Sequence, residues 1–244
     1  MHKLIKYSYE NVPYYRELFD KAKLKPSDIR TVEDLPKVPI LEKDILRRRW
    51  RDLLSRVYPQ SKSIIYHTSG TTGKPITVYV SRNCYEREYA FRWIHYSWGG
   101  VKHGERFATF AGHPVVPISQ TEPPFWRHNW AENQLIFSSQ HISRDTLPHY
   151  IGALRKFQPA MIHGYPSSIY LIAHYLVENN ISDIRPKAVF TASETLLDFQ
   201  RKIIEEAFGC KVFNWYGNTE MVAHATECET GKMHIQLLHS VMEI

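Results

Sequence analysis

Lys187-Ala188-Val189-Phe190-Thr191, followed after one helical stretch by Lys211-Val212-Phe213-Asn214, is the part of the sequence that decides the fold. Both are short apolar runs rich in β-branched or aromatic residues. Between them Leu197 to Phe208 reads as a helix. The same alternation extends upstream, where Thr146 to Phe157 reads as helix, Ala160 to His163 as strand and Ser167 to Asn179 as helix. Short strands alternating with helices of this length form parallel neighbours joined by crossover helices, so the expected fold class is α/β. Ligands of such sheets sit beyond the carboxyl ends of the strands. Loops starting at His163, Thr191 and Asn214 are therefore expected to share one crevice.

Further upstream the pattern is less regular. His2 to about Ala22 reads as helix with a bend at Pro13, and Glu42 to Leu54 as another, separated by extended backbone around Leu35-Pro36 and Val38-Pro39. Ser63 to Tyr66 and Ile76 to Val80 have strand composition. A helix from about Asn83 to Trp98 ends at Gly99-Gly100, a strand follows at Arg106 to Phe110, and Gly112 to Arg144 reads as irregular. Trp93, Tyr96 and Trp98, at near-helical spacing, are expected in the core.

With 244 residues, 43% apolar and 13% aromatic, the chain can bury a sizeable core. No apolar run reaches the length of a membrane span, and residues 1–15 do not read as a signal peptide, so a cytoplasmic protein with no membrane partner is expected. Cys84, Cys210 and Cys228 are too few and too scattered for a disulfide framework. The net charge of +6 suits nucleotide phosphates. The basic run Lys43, Arg47, Arg48, Arg49 and Arg51 reads as a solvated helix face, and no nucleic-acid partner is expected. His224, Cys228, His234 and His239 cluster near the C-terminus and would be the ligands if a structural zinc were bound, but their spacing matches no standard finger and solvent-facing or hydrogen-bonded histidines are the expected reading.

Between the two upstream strands lies His67-Thr68-Ser69-Gly70-Thr71-Thr72-Gly73-Lys74-Pro75. Glycines let backbone N–H groups turn toward an anion, hydroxyls add donors and Lys74 adds charge, a combination suited to a polyphosphate. It is not a Walker A loop, because Pro75 and a strand follow the lysine. His67 reads as a packing or loop-stabilising residue and not as a base. Downstream, Asn214-Trp215-Tyr216-Gly217-Asn218-Thr219-Glu220 combines a flat aromatic suited to a base, a hydroxyl suited to a phosphate and a hard carboxylate suited to Mg²⁺.

These two stretches resemble the phosphate loop and the aromatic-Tyr-Gly-x-Thr-Glu motif of adenylate-forming enzymes. Glu10 to Arg16, Asp34 to Pro39 and Gly164-Tyr165-Pro166-Ser167 resemble its phenylacetate–CoA ligase branch, which includes proteins linked to capsular polysaccharide synthesis. The resemblance implies that residues 1–244 form an N-terminal nucleotide- and acyl-binding domain, a mixed or parallel sheet flanked by helices. It further implies ATP-dependent activation of a carboxylic acid to an acyl-adenylate, with CoA as thiol acceptor. Carried over, Thr68 to Lys74 would bind the phosphates of ATP, with Lys74 catalytic. Tyr216 would lie against the adenine, Thr219 would contact the α-phosphate and Glu220 would hold Mg²⁺. Ser193, Glu194, Thr195, Asn214, Trp215 and Gly217 would complete the nucleotide site, and Tyr165, Ala192 and Trp215 would line the acyl site. Family members supply a ribose-binding Asp and a mobile lid domain with a Lys from later segments, which cannot be placed here. On that reading the chain is expected to be an adenylate-forming ligase that is either truncated or dependent on a companion chain or second copy; the rival expectation is a truncated non-catalytic nucleotide- or acyl-binding remnant.

Overall fold

The computed structural model describes residues 1–68 and 76–242. Contacts divide the chain into two compact units, one comprising Met1–Glu88, Thr219–Ala223 and His239–Ile244, the other Tyr89–Asn218 and His224–Leu238. Among the described residues, no helix is long and apolar enough to cross a membrane.

In the first unit, α1 (His2–Asn11) and α2 (Pro13–Lys21) are separated at Val12, which is extended at φ −114°, ψ 111°. The ring of Pro13 excludes Val12 from the helical region while starting the next helix at its first position, as the sequence implies. The helix expected from Glu42 to Leu54 is confined to α3 (Lys43–Arg48). Beyond it the backbone finds distant partners. The Asp52 carbonyl accepts from the Tyr14 N–H (2.9 Å), the Arg56 N–H donates to the Asn11 carbonyl (2.8 Å), and Trp50 stacks on Tyr79. Two members of the basic run are held in ion pairs: Arg47 with Asp44, and Arg49 with both Glu17 and Asp52. Strands β1 (Ser63–His67) and β2 (Thr77–Ser81) form an antiparallel hairpin, and Thr77 Oγ1 lies 3.2 Å from His67 Nδ1 across it, so His67 does stabilise the base of the loop. Helix α4 (Arg82–Trp98) follows.

The second unit is built on an eight-stranded mixed sheet. In chain order its strands are β3 (Phe107–Ala111), β4 (Trp126–Asn129), β5 (Gln134–Ser138), β6 (Met161–Gly164), β7 (Ala188–Ala192), β8 (Lys211–Gly217), β9 (His224–Glu227) and β10 (Met233–Ile235), and their spatial order is β10-β9-β8-β7-β6-β3-β5-β4. The five strands from β8 to β5 are parallel, and the antiparallel β9, β10 and β4 flank them. Helices α5 (Leu147–Phe157), α6 (Pro166–Glu178) and α7 (Asp198–Phe208) cover one face, where Phe110, Phe137, Tyr150, Ile162, Ile172, Val189 and Phe208 are buried. The residues of α4 from Tyr89 onward cover the other, packing Tyr96, Trp93 and Trp98 on Phe107, Phe190 and Phe213, as the aromatic spacing implies. A Cβ at Gly99 would lie 2.7 Å from both Ala188 Cβ and Phe190 Cζ, so the helix can end against the sheet only with glycine there.

Strands β4 and β5 lie in the region read as irregular. The prolines that suggest a loop all precede Phe125, whereas Leu135-Ile136-Phe137 is an apolar run that slots in parallel beside β3. A second correction concerns β8, which continues through Gly217, so that Asn214 to Gly217 lie in a strand and not in a loop.

Phe137 is fully buried and contacts Phe110, Trp126 and Tyr150. Phe137→Ala is expected to lower the unfolding free energy by about 3–5 kcal/mol, measured by urea titration.

Candidate functional site

Strands β3, β6, β7 and β8 all end on the same edge, and their registers align the exits: Phe110 with Gly164, Gly164 with Thr191, and Thr191 with Asn214. The strand ends at His163, Thr191 and Asn214 are therefore neighbours, although the chain leaves β8 only after Gly217. Tyr165 lies over the exit of β3, where a Cβ on Gly112 would fall 2.0 Å from its hydroxyl oxygen. Ser193, Glu194 and Thr195 leave β7 exposed, with Ser193 in the left-handed region at φ 72°. Glu194 accepts a hydrogen bond from the Ser167 N–H (3.2 Å) at the start of α6. A carboxylate there satisfies one of the N–H groups that a helix start leaves open.

β8 is held from both sides. Thr191 Oγ1 donates to Asn214 Oδ1 (3.1 Å), while the Asn214 N–H donates to Glu227 Oε2 (2.8 Å). The same buried carboxylate accepts from Arg201 Nη2 (2.9 Å), and Arg201 Nη1 donates to the Val212 carbonyl (2.8 Å). An Arg–Glu clamp thus replaces the backbone ladder to β9 at Asn214 and fixes the strand just before its aromatic pair. From there, alternation along the strand sends Trp215 and Tyr216 to opposite faces.

Tyr216 is 57% exposed, on the Asn214 side. Trp215 turns to the α4 face, where the guanidinium of Arg92 stands 5.0 Å from its ring centroid and the rings of His224 and His163 are 5.1 and 6.4 Å away. Ala192 is its register partner on β7, and a Cβ on Gly217 would lie 2.9 Å from Trp215 Nε1. The glycine of the motif is therefore required by the indole edge two residues earlier. Arg92, His163, Glu227 and the placement of His224 beside Trp215 are site features not singled out from the sequence. Arg92 and Glu227 reach the site by packing from distant elements, and no local motif marks them.

The remaining expected residues belong to the first unit. Thr219 and Glu220 are counted with the hairpin and the start of α4, where the Met221 carbonyl lies 3.8 Å from Cys84 Sγ. Thr68 closes the neck of the glycine-rich loop: its N–H donates to the Ile76 carbonyl, and its hydroxyl oxygen accepts from the Ile76 N–H, both at 3.0 Å. Ser69, Gly70, Thr71, Thr72, Gly73 and Lys74 lie outside the described residues. The residues suggested for zinc are each described within their own unit. His224 packs on Trp215 and Phe91, Cys228 lies 3.0 Å from Thr230 Oγ1 at the β9–β10 turn, and His239 pairs with Glu88 (2.7 Å) in the first unit.

No family model matches the chain. CapK of Staphylococcus aureus is 34% identical to it over 238 residues, covering 97% of this chain and 52% of CapK. Phenylacetate-coenzyme A ligase of Thermus thermophilus is 26% identical over 250 residues, covering 99% of this chain and 54% of the ligase. The chain is a homologue of CapK and the phenylacetate–CoA ligases. It spans about half the length of these relatives. Among solved structures, 2-hydroxyisobutyryl-CoA ligase in complex with 2-HIB-AMP and CoA superposes with a TM-score of 0.71 at 22% identity, covering 96% of this chain and 51% of that one. Its open conformation gives 0.69 at 21% identity. The fold is that of the N-terminal domain of such ligases, a mixed sheet flanked by helices.

Beneath the Trp215 cluster, burial pushes the pKa of His163 down to about 3, with the charge of Arg92 adding to the effect, and burial pushes that of His95 down to about 4. Both are neutral in the folded chain at pH values where the unfolded chain, near 6.5, takes up protons. Their contribution to stability is complete above pH 6.5 and is lost as pH falls toward 4. Unfolding free energy is expected to drop across this window by up to about 1.4 kcal/mol per pH unit for each histidine. His163→Phe should flatten the profile measured by denaturant titration at successive pH values.

Proposed function

We propose that the chain binds ATP at the exposed end of β8 and activates a carboxylic acid held on the opposite face, forming an acyl-adenylate. The observation that carries this reading is the division made at one strand end: Tyr216 faces outward one step past the last register pair with β7, where the exposed Ser193 to Thr195 leave that strand, and Trp215 faces the α4 side beside Ala192. A base stacked on the first and an acyl group against the second would meet at the strand end, where the two reactants must be brought together. Homology to CapK and the phenylacetate–CoA ligases supports the same chemistry.

In this reading Tyr216 lies against the adenine, with Asn214, Gly217 and Ser193 to Thr195 around it, and Tyr165, Ala192 and Trp215 line the acyl group. A carboxylate oxygen attacks the α-phosphorus, the bond to the bridging oxygen breaks, and pyrophosphate leaves. Two anions approach in this step, so the protein acts by positioning and by neutralising charge. Lys74 and the hydroxyls of Thr68, Ser69, Thr71 and Thr72 screen the β- and γ-phosphates, and Thr219 donates to the α-phosphate. Glu220 offers the hard oxygen that Mg²⁺ prefers, and the ion would supply further neutralisation of phosphate charge. CoA is the proposed thiol acceptor of the acyl group, and the cytoplasm the proposed location.

ATP–pyrophosphate exchange driven by aryl and short-chain acids tests the proposal. Exchange is expected, and Lys74→Ala or Glu220→Ala should each reduce it by at least about 100-fold. ATP binding without exchange for any acid would instead mark a non-catalytic binding domain that needs a companion chain. Failure to bind ATP would overturn the reading altogether.

A further inference from the structure

The acyl side of this site carries polar groups that a hydrocarbon acid would leave without partners. Among the described residues, Trp215 Nε1 and His163 Nε2 are both buried and have no hydrogen-bond partner. They belong to one sheet face. His163 is level with Phe190 on β7, which is level with Phe213 on β8, and Trp215 stands two residues further along that strand. Their rings are near-parallel at 26°, with centroids 6.4 Å apart. Interiors rarely leave such nitrogens idle on two neighbouring rings, and exceptions call for an explanation.

We infer that Trp215 and His163 form a hydroxyl-recognising end of the acyl site, so that the chain takes acids bearing a hydroxyl on the acyl group in preference to the unsubstituted acid. This inference rests on the acid-activating reading above and names its substrate class. An indole nitrogen can only donate a hydrogen bond. His163 is held neutral by burial and by the charge of Arg92, so in the matching tautomer its Nε2 accepts. A hydroxyl accepts from the first and donates to the second, whereas a ring or alkyl carbon does neither. Entry takes a turn of the indole, because both nitrogens are closed from water while the Trp215 ring as a whole is partly exposed. Gly217 leaves room for that turn, since no side chain stands beside Nε1 where a Cβ would fall at 2.9 Å. Arg92 and His224 against the same ring line the remainder with polar groups, and Ala192 keeps the neighbouring strand low.

Sites built to hydrogen-bond a substrate hydroxyl discriminate strongly against the analogue that lacks it, because the polar groups of the site are then stranded. The test titrates the whole chain with phenylacetate, its 2-, 3- and 4-hydroxy forms and 2-hydroxy-2-phenylacetate, following the indole ¹H–¹⁵N resonance of Trp215, with MgATP titrated in parallel. At least one hydroxy acid is expected to bind at least about tenfold more tightly than phenylacetate and to shift the Trp215 resonance. Trp215→Phe, which keeps a ring and removes the N–H, and independently His163→Phe, should each reduce that ratio to less than about threefold. Equal or tighter binding of phenylacetate, an advantage that survives both substitutions, or MgATP binding with no acid bound would each overturn the inference. Failure of MgATP itself to bind would strike the acid-activating reading first, and this inference with it.

Discussion

The carboxylate of Glu227 is the interaction on which the arrangement of the site depends. It is buried, it takes the Asn214 N–H that a regular antiparallel ladder would have given to a β9 carbonyl, and Arg201 neutralises it while also holding the Val212 carbonyl. A buried charge pair of this kind adds little to stability compared with an apolar pair of the same shape, but loss of one partner strands the other. What it fixes is position. Once Asn214 is set, the pleat determines that Trp215 and Tyr216 point to opposite faces, and register with β7 sets Ala192 beside one and the exposed Ser193–Thr195 segment near the other.

Both faces of the sheet follow from this. On the α5–α7 side the strands present Ala108, Phe110, Ile162, Val189 and Val212 to an apolar core, and the strand end opens toward Glu194 and Tyr216. On the α4 side the aromatic layer of Tyr96, Phe190 and Phe213 is flanked at the same level by His163 and gives way, one pleat further along β8, to Trp215 with Arg92 and His224 against its ring. The change from apolar to polar-aromatic lining along one face is what distinguishes packing from site. Burial keeps His163 neutral at this boundary and leaves its Nε2 for a ligand to use.

The parallel core was legible because Met161 to Gly164, Ala188 to Ala192 and Lys211 to Phe213 are short apolar runs separated by amphipathic helices, and local composition is enough to specify such units. Legibility failed where distant partners decide. The helix expected to reach Leu54 stops at Arg48 because the backbone of Asp52 and Arg56 bonds to Tyr14 and Asn11, and β5 reads as loop until β3 provides its neighbour. Within the site, the motif residues Trp215, Tyr216 and Gly217 could be picked out as a string. Why the string needs its glycine could not, since the reason is the indole edge on the same face. Arg92 and Glu227 carry no local signature at all.

In the proposed function the outward face of the β8 end takes the nucleotide base. Photolabelling with 8-azidoadenosine triphosphate, followed by peptide mapping, tests it most directly. ATP-protected label is expected on the peptide containing Tyr216 or on that containing Ser193 to Thr195. Protected label confined to the basic segment from Lys43 to Arg51, with none at either peptide, would contradict it.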